Sequence, residues 1–235
     1  EELDLPPVLL MHGWDSRASQ LAPIVRALLA QGHRVLAFDA PGHGDSPDAN
    51  PTVSTFADLV SAVDRRFGPF HAAIGHSVGG LISLEAAAAR PDAIGRVMVV
   101  DALPFYSLLF NPAATVEMSA PYAEMNRTQM LAMTDAQFAA TQTQTMTMMT
   151  QTVAARPTLL DWSLTSARPL VAQVMYEVTL RDARTRLPAI TAPVTVLYAW
   201  DASMGQPGEL ADSIFTGAYR NLPAATLTRI DGSYH

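Results

Sequence analysis

The sequence predicts an α/β fold, and two observations carry that prediction. Short, uniformly apolar runs recur through the first hundred residues, and amphipathic helical stretches separate them. Apolar runs without polar alternation fit strands covered on both faces, as in a parallel sheet. The first run is PVLLM, Pro7 to Met11. In SQLAPIVRALLAQG, Leu21, Ile24, Val25, Leu28 and Leu29 repeat at helical spacing, with Ser19 as the expected cap and Gly32 as the stop. RVLAF (Arg34 to Phe38), HAAIG (His71 to Gly75) and RVMVV (Arg96 to Val100) are the next strands. The helices between them are TFADLVSAVDRRFG and VGGLISLEAAAARPD, each stopped by Gly or Pro. The order is βαβαβαβ, with right-handed crossovers expected.

The rhythm then breaks. Phe105 to Leu187 contains no clear strand, and seven of the eleven methionines fall between Met118 and Met149. TQTQTMTMMT is too short for an internal repeat, and LLDWSLTSARPLVAQVMYEVTLRDART reads as helix. The methionines fit core filler and pocket lining equally well. PVTVLYAW, GELADSIFTGAYRN and ATLTRI then restore a strand, a helix and a last strand, for six strands at most. No linker is visible. The chain reads as a single domain over 1–235, with a core of 1–104 and 188–235 and a helical cap insertion of 105–187.

Composition excludes several chemistries. With 49% hydrophobic and 16% charged residues, the 235-residue chain is globular in composition. A net charge of −7 without a basic stripe argues against nucleic acid and anionic membrane partners. All fifteen basic residues are arginine, which removes Schiff-base lysine chemistry and the P-loop lysine. The absence of cysteine removes thiol catalysis and disulfides and leaves the compartment open. No apolar run is long enough to span a membrane. EELDLPP is not a signal peptide and lacks an initiator methionine, so the start reads as trimmed, with a removed leader open. A soluble protein is expected, with the cytoplasm slightly favoured; oligomeric state is not legible.

The chemistry centres on GHSVGG, Gly75 to Gly80. It fits G-x-S-x-G and lies after a strand and before a helix, where a nucleophilic serine stands on a sharp turn. Gly75 and Gly79 leave room around Ser77, and Gly80 lets the helix pack close. The hydroxyl is thereby lifted to the C-terminal edge of the sheet. A serine needs a histidine base oriented by a carboxylate. Of six histidines only His235 follows Ser77, after the final strand, which makes it the candidate base. Asp201 in LYAWDASMG is the preferred acid, Asp101 in MVVDALP is its rival, and Asp231 reads as a turn former. Backbone N–H groups of Val78 and of Trp14, in HGW, are the expected oxyanion donors, with His12 packing the loop. In DAPGHGDS, His43 and Asp45 lack a closed ligand set, so they read as loop structure and no metal is expected.

HGW, DAPGHGDS, GHSVGG, YAWDASMG and RIDGSYH, in this order and spacing, resemble the α/β-hydrolase superfamily over nearly the whole chain. The nearest likeness is to bacterial esterase-like serine hydrolases with a helical cap between the family's sixth and seventh strands. The resemblance implies a mostly parallel, twisted eight-stranded sheet flanked by helices, with Ser77, Asp201 and His235 as triad. The family's first strand pair and closing helix are not seen here, so missing ends are expected. Ser77 sets aside the dehalogenase and epoxide hydrolase branches, which use aspartate. The absence of lysine sets aside the hydroxynitrile lyase branch. The expectation is a cofactor-free hydrolase of small to medium carboxylic esters, with Phe105, Tyr106, Met146 and Met149 as pocket residues. The alternatives are the same triad on amide, thioester, lactone or C–C bonds or in perhydrolysis, and a non-catalytic ligand binder.

Overall fold

The computed structural model describes residues 6–46 and 53–235, with backbone only for 53–58; the expectation about the chain start falls on residues outside this range. Among the described residues, six strands form one sheet: β1 Val8–Met11, β2 Val35–Ala37, β3 Ala72–His76, β4 Val97–Val100, β5 Val194–Trp200 and β6 Thr226–Asp231. Their order is β2-β1-β3-β4-β5-β6 and every pairing is parallel. The chain steps out from β1 to β2, then crosses back to β3 on the other side of β1, which opens the crevice where α/β sheets take ligands.

Alternation within β1 shows why the strand lacks polar residues. Leu9 and Met11 enter one core cluster with Ala73, Val97 and Val99. Val8 and Leu10 enter a second cluster, on Leu21, Ile24, Val25 and Leu28. Both faces of the strand are therefore covered, and burial of each such side chain stabilises by about 1.5–3 kcal/mol. Ile24, Val25 and Leu28 belong to helix α1, Ala22–Ala30. Ser19 does not cap it: it lies inside a 3-10 turn, Ala18–Leu21, and the α-helix starts at Ala22 with Pro23 in its first turn. Gly32 does end it. At φ +81° its N–H reaches the Leu29 carbonyl, while the His33 N–H reaches that of Leu28, a Schellman stop.

Helix α2, Val53–Phe67, precedes β3, and α3, Val78–Ala89, follows it. Nine of the twelve α3 residues are buried, so this helix is the centre of the core. Four helices lie between β4 and β5: α4 Val116–Ala132, α5 Asp135–Met149, α6 Arg156–Thr165 and α7 Arg168–Leu180. The segment leaves and returns at one place, where Ala183 N–H donates to the Pro104 carbonyl at 2.8 Å and Phe105 bridges Asp182. Arg181 holds it to α3 through a bidentate pair with buried Glu85, at 2.5 and 3.1 Å. The Thr/Gln/Met run is the C-terminal half of α5. Its threonines fit a helix because Thr143, Thr145 and Thr147 donate to carbonyls four residues back, and a Thr134/Gln137 capping box starts the helix. Helix α8, Gly208–Ala218, packs on β5 and β6 with Phe215 stacked on Tyr198.

Candidate active site

Ser77 stands between β3 and α3 at φ 55°, ψ −126°, a conformation that non-glycine residues hold only when their surroundings impose it. The surroundings do. A Cβ at Gly75 would sit 2.1 Å from the Gly79 carbonyl oxygen, and one at Gly79 would sit 2.4 Å from the Met11 carbonyl oxygen. Neither position tolerates a side chain, so the elbow closes only around glycine. The Val78 N–H opens α3 and has no intrahelical acceptor.

A cavity of about 310 Å³ runs along the C-terminal edge of the sheet. Ser77, Val78, Trp14, Asp101 and His235 all line it. The expected pairing of His235 with Asp201 is absent. His235 Nδ1 lies 2.6 Å from Asp101 Oδ2, while Asp101 Oδ1 accepts from the Ala199 N–H at 3.0 Å. Asp101 directly follows β4 at φ 49°, which aims its carboxylate across toward the end of β6. The turn is pinned from below by Tyr219, whose buried hydroxyl donates to the Ala102 carbonyl at 2.8 Å. Burial alone would raise the Asp101 pKa; the bond to His235, its charge and the Ala199 N–H outweigh that and hold the carboxylate below its usual range. Asp201 is instead spent locally. It accepts from the Ser203 N–H at 2.8 Å, from the Ser203 hydroxyl, and from Gln151 at 3.3 Å. Ser203 in turn bonds the Tyr234 hydroxyl, so Asp201 braces the loop that carries His235. Asp231 pairs with Arg229 at 2.6 Å.

Two further histidines surround the site, His12 buried and His76 half-buried. His12 accepts from the Ala40 N–H at Nε2, 2.9 Å, and faces the Gly13 carbonyl with Nδ1 at 2.7 Å, so the neutral ring knits the loops after β1 and β2 together. Burial pushes His12 down to about 4. His76 packs its ring 4.7 Å from that of His235, and burial, reinforced by the charge of His235, pushes it down to about 3. In DAPGHGDS, Asp39 accepts from Ala18 and Asp45 N–H groups, which shapes the loop.

Of the four expected pocket residues, Tyr106 and Met149 line the cavity. Phe105 does not: it is fully buried in the core beneath the Arg184 guanidinium. Met146 is also absent from the wall; Met148, on the adjoining face of α5, takes part instead. Trp200, Met175, Met204 and Leu109 also line it and were not anticipated. Their signal was available only for Trp200, which sits at the same sheet edge as the YAWDASMG loop.

Asp15 is the other unanticipated residue. It is buried in the turn beside Trp14 at φ 49°. Its Oδ2 accepts from Gln142 Nε2 at 2.9 Å and from Ser163 Oγ at 3.2 Å, and its Oδ1 is without a partner. Burial pushes its carboxyl up to about 7. In the unfolded chain His12 and His76 take up protons near 6.5, but in the folded one only near 4 and 3, so their contribution is lost as pH falls. Asp15 runs the other way: its contribution is present below 3.8 and is lost as pH rises through about 7. Between roughly pH 4 and 6.5 these two histidines, joined by His43, which burial also holds below its usual range, outweigh the one carboxyl, so unfolding free energy rises with pH. Asp15→Asn should steepen that rise by about 1.4 kcal/mol per pH unit, the slope of one proton. Guanidinium unfolding across this window reads it, and an unchanged slope would contradict the assignment.

The comparisons with known proteins agree with this architecture. Residues 8–235 match the Alpha/beta hydrolase family. The chain belongs to that family. Solved structures with the same fold include a hydrolase from Pseudomonas aeruginosa, at TM-score 0.78 and 18% identity, covering 99% of this chain and 84% of that one. An enol-lactonase from Burkholderia xenovorans aligns at TM-score 0.74 and 20% identity over 98% of this chain and 85% of that one. Among curated relatives, an sn-1-specific diacylglycerol lipase of Danio rerio is 32% identical over 106 residues, 43% of this chain. A putative carbamate hydrolase of Variovorax paradoxus is 36% identical over 99 residues, 40% of this chain. The match spans only 33% and 37% of these two relatives' lengths. Among the described residues of this alpha/beta hydrolase, no helix is long and apolar enough to cross a membrane.

Proposed function

We propose that this alpha/beta hydrolase is a cofactor-free serine hydrolase that cleaves small to medium carboxylic esters through an acyl-enzyme intermediate, with Ser77, His235 and Asp101 as its triad. The observation that carries the reading is one cavity into which a conformationally forced serine and a carboxylate-held histidine both open. With Nδ1 engaged by Asp101, the ring nitrogen left for the serine proton is Nε2. Ser77 Oγ attacks the acyl carbonyl and passes its proton to His235, and the Trp14 and Val78 N–H groups take the oxyanion. The alcohol leaves with that proton. Water then gives His235 a proton, attacks the acyl carbon and releases the acid and Ser77. Helices α4 to α7 serve as a cap over this site.

The lining supports an uncharged acyl or aromatic group. It holds four methionines, two tryptophans and Tyr106, and Asp101, already paired with His235, is the one acidic residue among the described lining residues. The volume lies at the low end of the ~300–1,000 Å³ range of ligand sites. Neither arginine nor lysine is present among those residues, which disfavours substrates bearing a free carboxylate. The lactone and carbamate names among similar proteins keep the same triad open to related acyl bonds. A 4-nitrophenyl ester series from acetate to decanoate tests the reading. Turnover should peak at short to medium chains, and Met149→Ala should move the optimum to longer ones. A rate indifferent to chain length in both proteins would mean that the acyl group does not occupy this cavity.

A further inference from the structure

Asp15, Gln142 and Ser163 form a buried polar cluster that the triad chemistry does not use. Gln142 lies on α5 and Ser163 on α6, 127 and 148 residues from Asp15 in the chain. Gln142 and Ser163 also bond each other, which closes a three-membered network. All three side chains are buried, Ser163 completely. The network has a direction that apolar packing lacks, because each donor fixes the carboxylate oxygen it faces.

Its place is what gives it meaning. Asp15 adjoins Trp14, whose N–H is the proposed oxyanion donor, and it holds a left-handed φ of 49° that a non-glycine residue keeps only under external constraint. Among the described residues, the side-chain hydrogen bonds to its carboxylate come from α5 and α6. Helix α5 also carries Met148 and Met149 into the cavity wall. One helix therefore both covers the acyl group and holds the turn that must meet the developing oxyanion.

We propose that Asp15 is a positioning residue for the oxyanion hole: by binding Gln142 and Ser163 it locks the Trp14 turn to helices α5 and α6, so that the hole is aimed only when those helices are seated. The inference rests on the serine hydrolase reading above. It assigns Asp15 no contact with the substrate. The small misplacement expected on losing the lock acts on the transition state, which carries the oxyanion, far more than on the bound ester.

The test compares Asp15→Ala, Gln142→Ala, Ser163→Ala and Asp15→Asn with the wild type. Thermal unfolding, kcat and KM on the best 4-nitrophenyl ester, and inhibition by an alkylboronic acid, which presents a tetrahedral oxyanion, are measured for each. The alanine variants should lose about 10- to 100-fold in kcat with KM within about threefold, and boronic acid inhibition should weaken by a similar factor. Asp15→Asn should recover most of kcat, since its amide oxygen accepts the same two bonds. Variants that unfold at lower temperature but keep kcat and boronic acid affinity, or that raise KM alone, would overturn the proposal and leave the cluster a packing anchor. Should Asp15→Ala not fold, Ser163→Ala and Asp15→Asn decide the matter by the same readouts. A folded wild type without ester turnover would overturn the hydrolase reading and this inference together, whereas an active wild type with indifferent variants would overturn this inference alone.

Discussion

Asp101→Asn is expected to lower kcat by about 10⁴-fold, some 5.5 kcal/mol of transition-state stabilisation, with KM little changed. In the proposed triad, the carboxylate that meets His235 Nδ1 at 2.6 Å would fix the imidazole tautomer and stabilise the imidazolium formed when Ser77 gives up its proton. An amide at this position presents its NH₂ or its oxygen to Nδ1 and carries no charge, so the ring loses its counter-ion. Asp201→Asn is the matched control. Its carboxylate is satisfied by Ser203 and Gln151 and touches His235 only through the Ser203–Tyr234 link. Its loss should cost no more than about threefold, through a slightly looser His235 loop. Steady-state kinetics of the two variants side by side separate the two acids. Equal losses, or a larger loss at Asp201, would contradict the assignment.

Ser77→Ala is expected to lower turnover by about 10⁵- to 10⁶-fold, leaving only what the oxyanion donors and binding contribute. A companion effect distinguishes a functional serine from a structural one. The residue sits at φ 55°, ψ −126°, and a non-glycine residue held so stores about 1–3 kcal/mol. Ser77→Ala keeps that strain, since alanine has the same Cβ. Ser77→Gly relieves it and should raise the unfolding free energy by about 1 kcal/mol or more while remaining inactive. Denaturant unfolding of the three proteins measures this. A destabilised Ser77→Gly would show that the elbow stores no strain.

The six strands were legible because each is a local property of the chain. Val8 to Met11 and Val97 to Val100 are apolar throughout, and a doubly covered strand needs nothing else. The long helical stretch from Leu159 divided into α6 and α7 because Pro169 has no N–H for the Thr165 carbonyl and fits only the first turn of a new helix, so the chain turns extended at Ser166 and Ala167. Ser19 failed as a cap because Pro23 admits a later start, at Ala22, behind a 3-10 turn.

At the site, what was legible is what glycine spacing and residue order dictate: the Ser77 elbow, His235 at the end of β6, and Trp14 and Val78 beside them. Which carboxylate meets His235 was not, because both candidates follow a strand at the same sheet edge. The choice is made by contacts with no local signature. The Ala199 N–H and the Tyr219 hydroxyl orient the Asp101 turn, from 98 and 117 residues away along the chain. Ser203, two residues on, turns Asp201 back on its own loop. Phe105 was misplaced for a similar reason: an aromatic residue after a strand reads as pocket or core alike, and the Pro104–Ala183 closure draws it inward. Asp15 carried no sequence signal at all, since its partners belong to helices more than a hundred residues away.

The most direct measurement is the site of fluorophosphonate labelling, read by peptide mass spectrometry on the folded protein. One adduct is expected, on Ser77, formed at a rate that falls sharply in Asp101→Asn and His235→Ala and little in Asp201→Asn. Folded protein that turns over no ester and takes up no label at Ser77 would contradict it.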